Sequence, residues 1–220
     1  MRHKYDLLIF DWDGTLMDSI DQIVDCLAAA ADDAGAPDLP VSTLRDIIGL
    51  GLREAMDALY PGEPEEMIDR LVERYRYHFV EQKRGSAELF PGVEAMLERL
   101  TGNGFQLAVA TGKARVGLKR VFHETGYDRY FHASRCADET ESKPHPKMVH
   151  ELIAELNADP ERTLMIGDTS YDMRMAENAG IEALAVSYGV HNCQQLKEHT
   201  PVACVNSVAE LDAWLDMTAE

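Results

Sequence analysis

The chain has no long hydrophobic run. The first apolar stretch, Leu7–Phe10, is ended by Asp11, and no later stretch reaches the roughly 18 apolar residues that a transmembrane helix needs. The first stretch is also too short to be the apolar centre of a secretory signal peptide. The sequence therefore predicts a soluble protein that stays in the cytoplasm and has no membrane partner.

The chain is also poor in positive charge. It has 21 Lys and Arg residues against 39 Asp and Glu residues, which gives a formal net charge of -18 at pH 7. Such a surface repels the phosphate backbone of nucleic acids, so we expect no nucleic-acid partner. A site for a small phosphorylated molecule must then be locally positive, through lysines, helix N-termini or a metal ion, because salt screens the overall field beyond roughly 8 Å.

Cysteine is scarce, and no two cysteines have C-x-x-C spacing. The widely spaced thiols predict four reduced, mostly buried cysteines, as is usual in the cytosol, rather than a metal site or a disulfide framework. Hydrophobic residues make up 45% of the chain and charged residues 27%, which is ordinary for a globular protein. The four cysteines are Cys26, Cys136, Cys193 and Cys204.

Hydrophobic periodicity predicts alternating strands and helices along most of the chain, and such alternation indicates a parallel sheet covered on both faces. Residues 17–85 differ, because they show helical periodicity and no strand. The predicted fold is α/β, with a Rossmann-like parallel-sheet core of residues 1–16 and 86–220 and a small all-helical cap of residues 17–85 inserted after the first strand. The predicted strands are Tyr5–Phe10, Gln106–Ala110, Tyr130–Ser134, Thr163–Ile166, Ala183–Val186 and Ala203–Val205.

Short polar segments follow three of the predicted strands, and a fourth lies in a loop before a helix. The carboxyl ends of parallel strands meet at one edge of an open sheet, which is where such sheets bind ligands. We therefore expect these four segments to lie close together. They are Asp11–Thr15, Thr111–Lys113, Ser142–Pro144 and Gly167–Thr169.

Carboxylates dominate this predicted cluster. Asp11 and Asp13 are two residues apart at the end of a strand, a spacing that directs both side chains to the same side. Asp168 and Asp172 add two more carboxylates. Neighbouring carboxylates repel one another unless a cation relieves them, and Mg²⁺ prefers oxygen ligands. The sequence therefore predicts a magnesium cofactor held by these four residues.

The same segments offer groups that bind phosphate. Thr111 supplies a hydroxyl group and Lys143 supplies an ammonium group, and lysine acts well as a point charge for phosphate. Backbone N–H groups around Gly14 and after Gly112 can also donate to phosphate oxygens, because both loops lead towards helix N-termini.

In this order, the segments resemble the four motifs of the haloacid dehalogenase superfamily, in its phosphatase branch. The match spans residues 7–172 and shows no departure from the catalytic pattern. The helical insert is similar to the small cap of the phosphoglycolate phosphatase-like members. The matching segments are Asp11–Ser19 for D-x-D-G-T-x-x-D-S, Leu107–Thr111 for an apolar strand ending in Thr, Ser142–Pro146 for a Lys before Pro, and Gly167–Asp172 for G-D-x-x-x-D.

This resemblance implies a magnesium-dependent phosphomonoester hydrolase that forms an aspartyl-phosphate intermediate. Asp11 would be the nucleophile, and it would bind phosphate together with Gly14, Thr111, Gly112 and Lys143. Asp13 would be the acid and base, and its main-chain carbonyl would be a magnesium ligand. Asp168 and Asp172 would complete the metal site. The partner would be a small phosphorylated metabolite such as phosphoglycolate or a sugar phosphate.

Two cations are candidate specificity residues. Arg53 lies in the helix-breaking segment Gly49–Arg53 of the predicted cap, although that segment also fits a plain turn with a solvated arginine. Lys113 lies near a helix start, where it either contacts substrate or belongs to a solvated face.

Other functions remain open at this stage. A phosphomutase similar to β-phosphoglucomutase would keep every catalytic residue named here. A dehalogenase is disfavoured because that branch lacks the acid and base that Asp13 supplies, and a non-catalytic protein is disfavoured because no motif residue is lost. Nucleotides and pyrophosphate also remain possible substrates, and the protein could be a monomer or a homodimer.

Overall fold

A six-stranded parallel sheet forms the centre of the protein. The computed structural model describes residues 4–81 and 88–217. The order in the sheet is β5-β4-β1-β6-β7-β8, and every neighbouring pair is parallel, which confirms the predicted α/β fold. The strands are β1 Leu7–Phe10, β2 Met17–Asp18, β3 Glu88–Leu89, β4 Gln106–Thr111, β5 Ala133–Cys136, β6 Thr163–Gly167, β7 Glu182–Val186 and β8 Ala203–Val205.

Helices cover both faces of this sheet. Side chains of a strand alternate between the faces, so in β1 Leu8 and Phe10 join one apolar cluster, which includes residues of α5 and α10, while Leu7 and Ile9 join another, which includes residues of α7 and α8. The α-helices in the described part of the chain are α1 Ile20–Ala34, α2 Val41–Asp46, α3 Leu52–Leu59, α4 Glu65–Arg76, α5 Val93–Gly102, α6 Arg115–Thr125, α7 Lys147–Leu156, α8 Ser170–Ala179, α9 Cys193–Lys197 and α10 Val208–Met217.

Residues 20–81, which we call the insert, form a helical unit with an apolar cluster of its own. Its members come from α1 to α4, from the segments that join them and from the π-helical turn Tyr77–Glu81. In α1 the side chains at helical spacing, such as Ile20, Val24 and Leu27, are buried against the other helices. The division into core and cap at residues 16/17 and 85/86 stays a prediction, and its second boundary lies outside the described residues.

The structure differs from the sequence prediction in several short elements. β2 lies where only helices were predicted, and it pairs antiparallel with β3 at the two connections between the insert and the sheet. A two-residue strand is too short to show a hydrophobic period. The helix predicted for Glu65–Lys83 ends at Arg76 and continues as the π-helical turn, while its predicted end lies outside the described residues. The third strand of the core begins at Ala133 rather than Tyr130, after a 3-10 turn.

The prediction of four reduced cysteines is wrong for one pair. Cys193, at the start of α9, forms a disulfide bond with Cys204 in β8, with the Cα atoms 6.0 Å apart. The fold places α9 beside β8, and the spacing of 11 residues between the two thiols did not reveal that contact. Cys26 and Cys136 form no disulfide with any described residue and are buried, as expected. The cytoplasmic location predicted from the sequence stays a prediction.

None of the helices in the described ranges 4–81 and 88–217 has both the length and the apolar character needed to cross a membrane.

Candidate active site

Asp11 lies at the carboxyl end of the central strand β1. Its backbone N–H donates to the carbonyl of Ile166 in β6 (2.9 Å), and its side chain is only 1% exposed. Oδ1 accepts a hydrogen bond from Nζ of Lys143 at 2.6 Å. Oδ2 is buried and has no hydrogen-bond partner among the described residues. One carboxylate oxygen of Asp11 is therefore available to a ligand.

Asp168 is held in place at the end of the neighbouring strand β6. Its Oδ1 accepts from the hydroxyl of Thr15 at 2.8 Å, and its Oδ2 accepts from the backbone N–H of Val190 at 2.8 Å. Gly14 passes so close to it that a Cβ at this position would collide with the Asp168 carboxylate. The absence of a side chain at Gly14 therefore allows the first motif to approach Asp168, and the φ of +82° there also favours glycine.

Asp172 is fixed by the helix that follows β6. Thr169 is the N-cap of α8, and its backbone N–H and hydroxyl donate to Asp172 Oδ2 at 3.1 Å and 2.7 Å in a capping box. The other oxygen of Asp172 accepts from Lys143 at 2.6 Å. The start of α8 thus directs a carboxylate towards Asp11.

Asp11, Asp168 and Asp172 form a buried group in which one oxygen of each lies within 4.8 Å of the others. Three carboxylates face the single ammonium group of Lys143, so a fully ionised group carries excess negative charge. Burial raises the pKa of Asp11 well above its usual range and raises that of Asp168 to about 7, and the Asp172 carboxylate adds to both shifts. Burial lowers the pKa of Lys143, but Asp11 and Asp172 outweigh it and hold this pKa above its usual value.

These residues fit a magnesium ion. All the donors are carboxylate oxygens, the oxygen Oδ2 of Asp11 has no partner among the described residues, and a bound cation would offset the excess negative charge of the ionised group. The side chain of Asp13 is not part of this group.

Asp13 instead faces Lys113. Nζ of Lys113 donates to both carboxylate oxygens of Asp13 at 2.7 Å and 2.8 Å, and the hydroxyl of Ser19 donates to Oδ1 at 2.5 Å. Lys113 also lies over the ring of Phe79 in the insert, 4.8 Å from its centre. Lys113 therefore connects the motif aspartate to the insert.

The insert closes over the ends of the strands. The N–H of Gly51 donates to the hydroxyl of Ser142 (2.7 Å), and the hydroxyl of Tyr171 donates to the carbonyl of Asp46 (3.1 Å). Nε2 of His191 lies 3.0 Å from the carboxylate of Asp46. These contacts hold the loop between α2 and α3 against the carboxyl edge of the sheet.

A cavity of about 100 Å³ lies between the insert and this edge. Asp11, Asp13, Thr111, Gly112 and Lys113 line it from the sheet side. The insert contributes mainly aliphatic and aromatic side chains from α1, α3, α4, the π-helical turn and the loop between α2 and α3. The structure thus brings five of the ten site residues predicted from the sequence to the wall of this partly open cavity, while Lys143, Asp168 and Asp172 lie next to Asp11.

Arg53 lies elsewhere. Its guanidinium pairs with Glu65 (3.0 Å) and Asp69 (2.5 Å), and its side chain is 46% exposed. Arg53 is not among the residues that line the cavity, although Leu52 next to it is.

Sequence reasoning did not identify several residues that hold the site. Thr15, Ser19 and Val190 donate to the motif aspartates. Thr15 and Ser19 belong to the motif segment Asp11–Ser19, which could have drawn attention to them, whereas nothing in the sequence around Val190 indicates its contact. Thr169 could have been found, because Thr169 and Asp172 have the spacing of a capping box.

Gly112 gives a test of the closed position of the insert. A Cβ at Gly112 would collide with the main-chain oxygens of Gly49 and Leu50, which cannot rotate away. We expect Gly112→Ala to displace the insert and to lower kcat/KM about 10- to 100-fold while the fold is retained. The control is Gly102→Ala, where a Cβ meets open space. An unchanged kcat/KM for Gly112→Ala would contradict the closed geometry.

The buried carboxylates of Asp11, Asp168 and Asp172 predict how the free energy of unfolding depends on pH in the absence of metal. The folded pKa of Asp168 is about 7, above the ordinary value near 4, so the folded state binds more protons between these values. In EDTA, we expect the free energy of unfolding to fall by on the order of a few kcal/mol as the pH rises from about 4 to 7. Mg²⁺ should therefore stabilise the protein more at pH 8 than at pH 5.

Urea titrations in EDTA and in Mg²⁺ at both pH values measure this difference. The Asp168→Asn variant, which lacks the titrating carboxylate, should show a smaller pH dependence in EDTA. An equal effect of Mg²⁺ at pH 5 and pH 8 in the wild-type protein would contradict the prediction.

Comparison with known proteins agrees with these observations. The family model described as haloacid dehalogenase-like hydrolase matches residues 8–186. The chain is 37% identical to the probable phosphatase IndB of Dickeya dadantii, over 93% of this chain and 91% of that protein. It is 32% identical to a phosphoglycolate phosphatase of Agrobacterium fabrum, over 83% and 81%. A crystal structure of a predicted phosphatase from Clostridium acetobutylicum superposes with a TM-score of 0.87 at 27% identity, over 97% of this chain and 99% of that one.

Proposed function

Because the chain belongs to the haloacid dehalogenase-like hydrolase family, we propose that it is a magnesium-dependent phosphatase that hydrolyses a small phosphate monoester through an aspartyl-phosphate on Asp11. The environment of Asp11 is the observation that supports this function most. Its carboxylate is buried beside Lys143, one oxygen has no partner among the described residues, and it lines the cavity under the insert. The names of the two phosphatase relatives support the same reaction class.

In the first step, a carboxylate oxygen of Asp11 attacks the phosphorus in line with the leaving oxygen. The bond from phosphorus to the leaving oxygen breaks as the bond to Asp11 forms. Asp13 gives its proton to the leaving oxygen, so the product departs as an alcohol. Both side chains line the same cavity, which supports these paired roles.

In the second step, water attacks the phosphorus of the aspartyl-phosphate. Asp13, now a carboxylate, accepts the proton of that water, and the bond between phosphorus and Asp11 breaks. Inorganic phosphate leaves, and both aspartates return to their starting protonation states. Lys113 and Ser19 hold the Asp13 side chain in one orientation for both steps.

The remaining site residues bind the transferring group. Lys143 and the hydroxyl of Thr111 would contact phosphoryl oxygens, together with backbone N–H groups near Gly14 and Gly112. Asp11, Asp168, Asp172 and the main-chain carbonyl of Asp13 would hold Mg²⁺, which supplies positive charge next to the phosphoryl oxygens. Closure of the insert would exclude water other than the attacking molecule.

Phosphate release from a panel of phosphorylated compounds tests this function. The panel contains phosphoglycolate, sugar phosphates, nucleotides, pyrophosphate and short alkyl phosphates, each with Mg²⁺ and with EDTA. We expect release that requires Mg²⁺. No release from any compound by folded protein would contradict the function, and isomerisation of a sugar phosphate without phosphate release would favour a phosphomutase.

A further inference from the structure

The wall of the cavity formed by the insert is almost entirely apolar. Leu27 of α1, Leu50 of the loop between α2 and α3, and Leu52 of α3 line the cavity. Phe79 also lines it, next to Lys113. Among the described residues of the insert that line the cavity, only Tyr75 and Arg76 carry polar side-chain groups. The group that leaves with the phosphate oxygen would be held against this wall.

The cations near the cavity are poorly placed to bind a second anion. Lys113 donates to both oxygens of Asp13 and is needed to hold that side chain during both steps of the reaction, and Arg53 pairs with acidic residues of α4 outside the cavity. Arg76 lines the cavity, but it is an exposed residue in contact with solvent. A carboxylate on the leaving group would therefore lose its hydration against an apolar wall, where the buried cation Lys113 is already committed to Asp13, which is unfavourable.

A polyhydroxylated leaving group meets a similar obstacle. Each hydroxyl that is taken out of water requires a hydrogen-bond partner. Burial holds the pKa of Tyr75 well above its usual value, and the nearby Asp13 carboxylate adds to the shift, so its hydroxyl stays neutral and can donate. The hydroxyl of Tyr75 and the exposed guanidinium of Arg76 offer too few hydrogen-bond partners on this wall for a sugar, whereas they suit a mostly apolar group.

The size of the cavity also bears on the leaving group. An apolar cavity of about 150 Å³ is large enough for benzene. The volume here is about 100 Å³, and part of it lies next to Asp11 and Thr111, where the phosphoryl group would bind. The cavity is partly open to solvent, so this volume favours a small leaving group, and a larger one would extend out of the cavity.

Building on the proposed function, we propose that the substrate is the phosphate monoester of a short, apolar alcohol, rather than phosphoglycolate or a sugar phosphate. The apolar body of the alcohol contacts Leu50, Leu52 and Phe79, and the phosphate lies against Asp11. The specificity of the site then comes from the aliphatic wall of the insert and not from a cation.

Isobutyl phosphate and phosphoglycolate form a matched pair for the test. They share the phosphate and the CH₂ group and differ in an isopropyl group against a carboxylate of similar shape. We expect kcat/KM for isobutyl phosphate to exceed that for phosphoglycolate at least about tenfold, because apolar contacts of this size usually discriminate between substrates by that factor. Equal values, or a preference for phosphoglycolate, would overturn the proposed specificity and leave the phosphatase function intact.

Two variants test whether the preference for isobutyl phosphate over phosphoglycolate comes from the cavity wall of the insert. Leu50→Arg places a cation at a half-buried position in the cavity wall and should reverse the preference towards phosphoglycolate. Val41→Arg adds the same charge to the insert at a 59% exposed position and should leave the ratio unchanged. An unchanged ratio in Leu50→Arg, or the same reversal in both variants, would overturn the assignment to the cavity wall.

A binding measurement separates this inference from the hydrolase function. The phosphonates 3-methylbutylphosphonate and 3-phosphonopropionate match the two esters, and neither can be hydrolysed at its P–C bond. In calorimetric titrations with Mg²⁺, we expect the first to bind at least about tenfold more tightly. Tighter or equal binding of 3-phosphonopropionate, or no binding of either, would overturn the proposed specificity whether or not the protein releases phosphate.

Discussion

Replacing Asp11 by asparagine is expected to lower kcat for phosphate release by at least about 10⁴-fold, because the amide cannot form the covalent intermediate. The side chain keeps its shape and its place at the end of β1, so substrate binding should change much less than kcat. Steady-state phosphate release on the best substrate of the panel measures the effect.

The stability of this variant provides the control. Asp11 is one of three buried carboxylates that face one lysine, and burial already disfavours its charged form. Removing this charge reduces repulsion with Asp168 and Asp172, so the melting temperature in EDTA should stay the same or rise. Retention of more than a few per cent of the activity by well-folded Asp11→Asn would contradict the nucleophile assignment.

Replacing Lys143 by methionine is expected to affect both stability and activity. Lys143 is fully buried and contacts Asp11 and Asp172 at 2.6 Å each, so its removal leaves buried carboxylates without a counter-ion. Breaking a buried ion pair in this way costs about 3–5 kcal/mol. We expect a loss of this size in the free energy of unfolding at pH 7 in EDTA, together with a loss of activity of at least about 10³-fold.

Loss of the counter-ion can be distinguished from a general packing defect by the pH dependence of the stability loss and by a second substitution. Protonated carboxylates need no counter-ion, so the stability loss of Lys143→Met should shrink as the pH is lowered from 7 to 5. Adding Asp11→Asn should restore part of the stability at pH 7. The matched control, Lys147→Met at an exposed position of α7, should change stability little. An equal loss at both pH values, with no rescue, would contradict the electrostatic explanation.

The carboxyl edge of the sheet could be predicted from the sequence because its position follows from the topology. Once β1, β4 and β6 are parallel neighbours, the residues at their carboxyl ends must meet: Asp11 and Thr111 line one cavity, and Asp168 lies in the carboxylate group with Asp11. The contact of Lys143 with Asp11 follows from the same edge together with the ordered motifs. Short strands and caps were harder to predict, since β2 and β3 contain two residues each.

The insert shows where sequence reasoning fails. Its helices could be predicted from apolar spacing, but the direction in which each side chain points relative to the sheet depends on how the whole unit packs. Arg53 was a reasonable candidate specificity residue by its position in the sequence. In the structure it pairs with Glu65 and Asp69 of α4 and does not line the cavity. The pairing of Lys113 with Asp13 joins residues 100 positions apart, and only the fold brings them together.

The Cys193–Cys204 bond is a similar case. Neither residue belongs to a recognisable spacing motif, and the two meet because α9 packs beside β7 and β8. The spacing of cysteines in a sequence helps to predict disulfide bonds when cysteines are dense. It does not predict a single pair that only the packing of the fold brings together.

The central claim, that Asp11 carries the phosphoryl group, is tested most directly by trapping it there. Asp13→Asn is mixed with 4-nitrophenyl phosphate and Mg²⁺, because this leaving group departs without a proton while the second step still needs the base. We expect a burst of about one equivalent of nitrophenolate per enzyme. After rapid acid quenching, reduction with borohydride and peptide sequencing by mass spectrometry, position 11 should appear as homoserine, the product of a reduced aspartyl-phosphate. Nitrophenolate release with unmodified aspartate at position 11, or with homoserine at another position, would contradict the account.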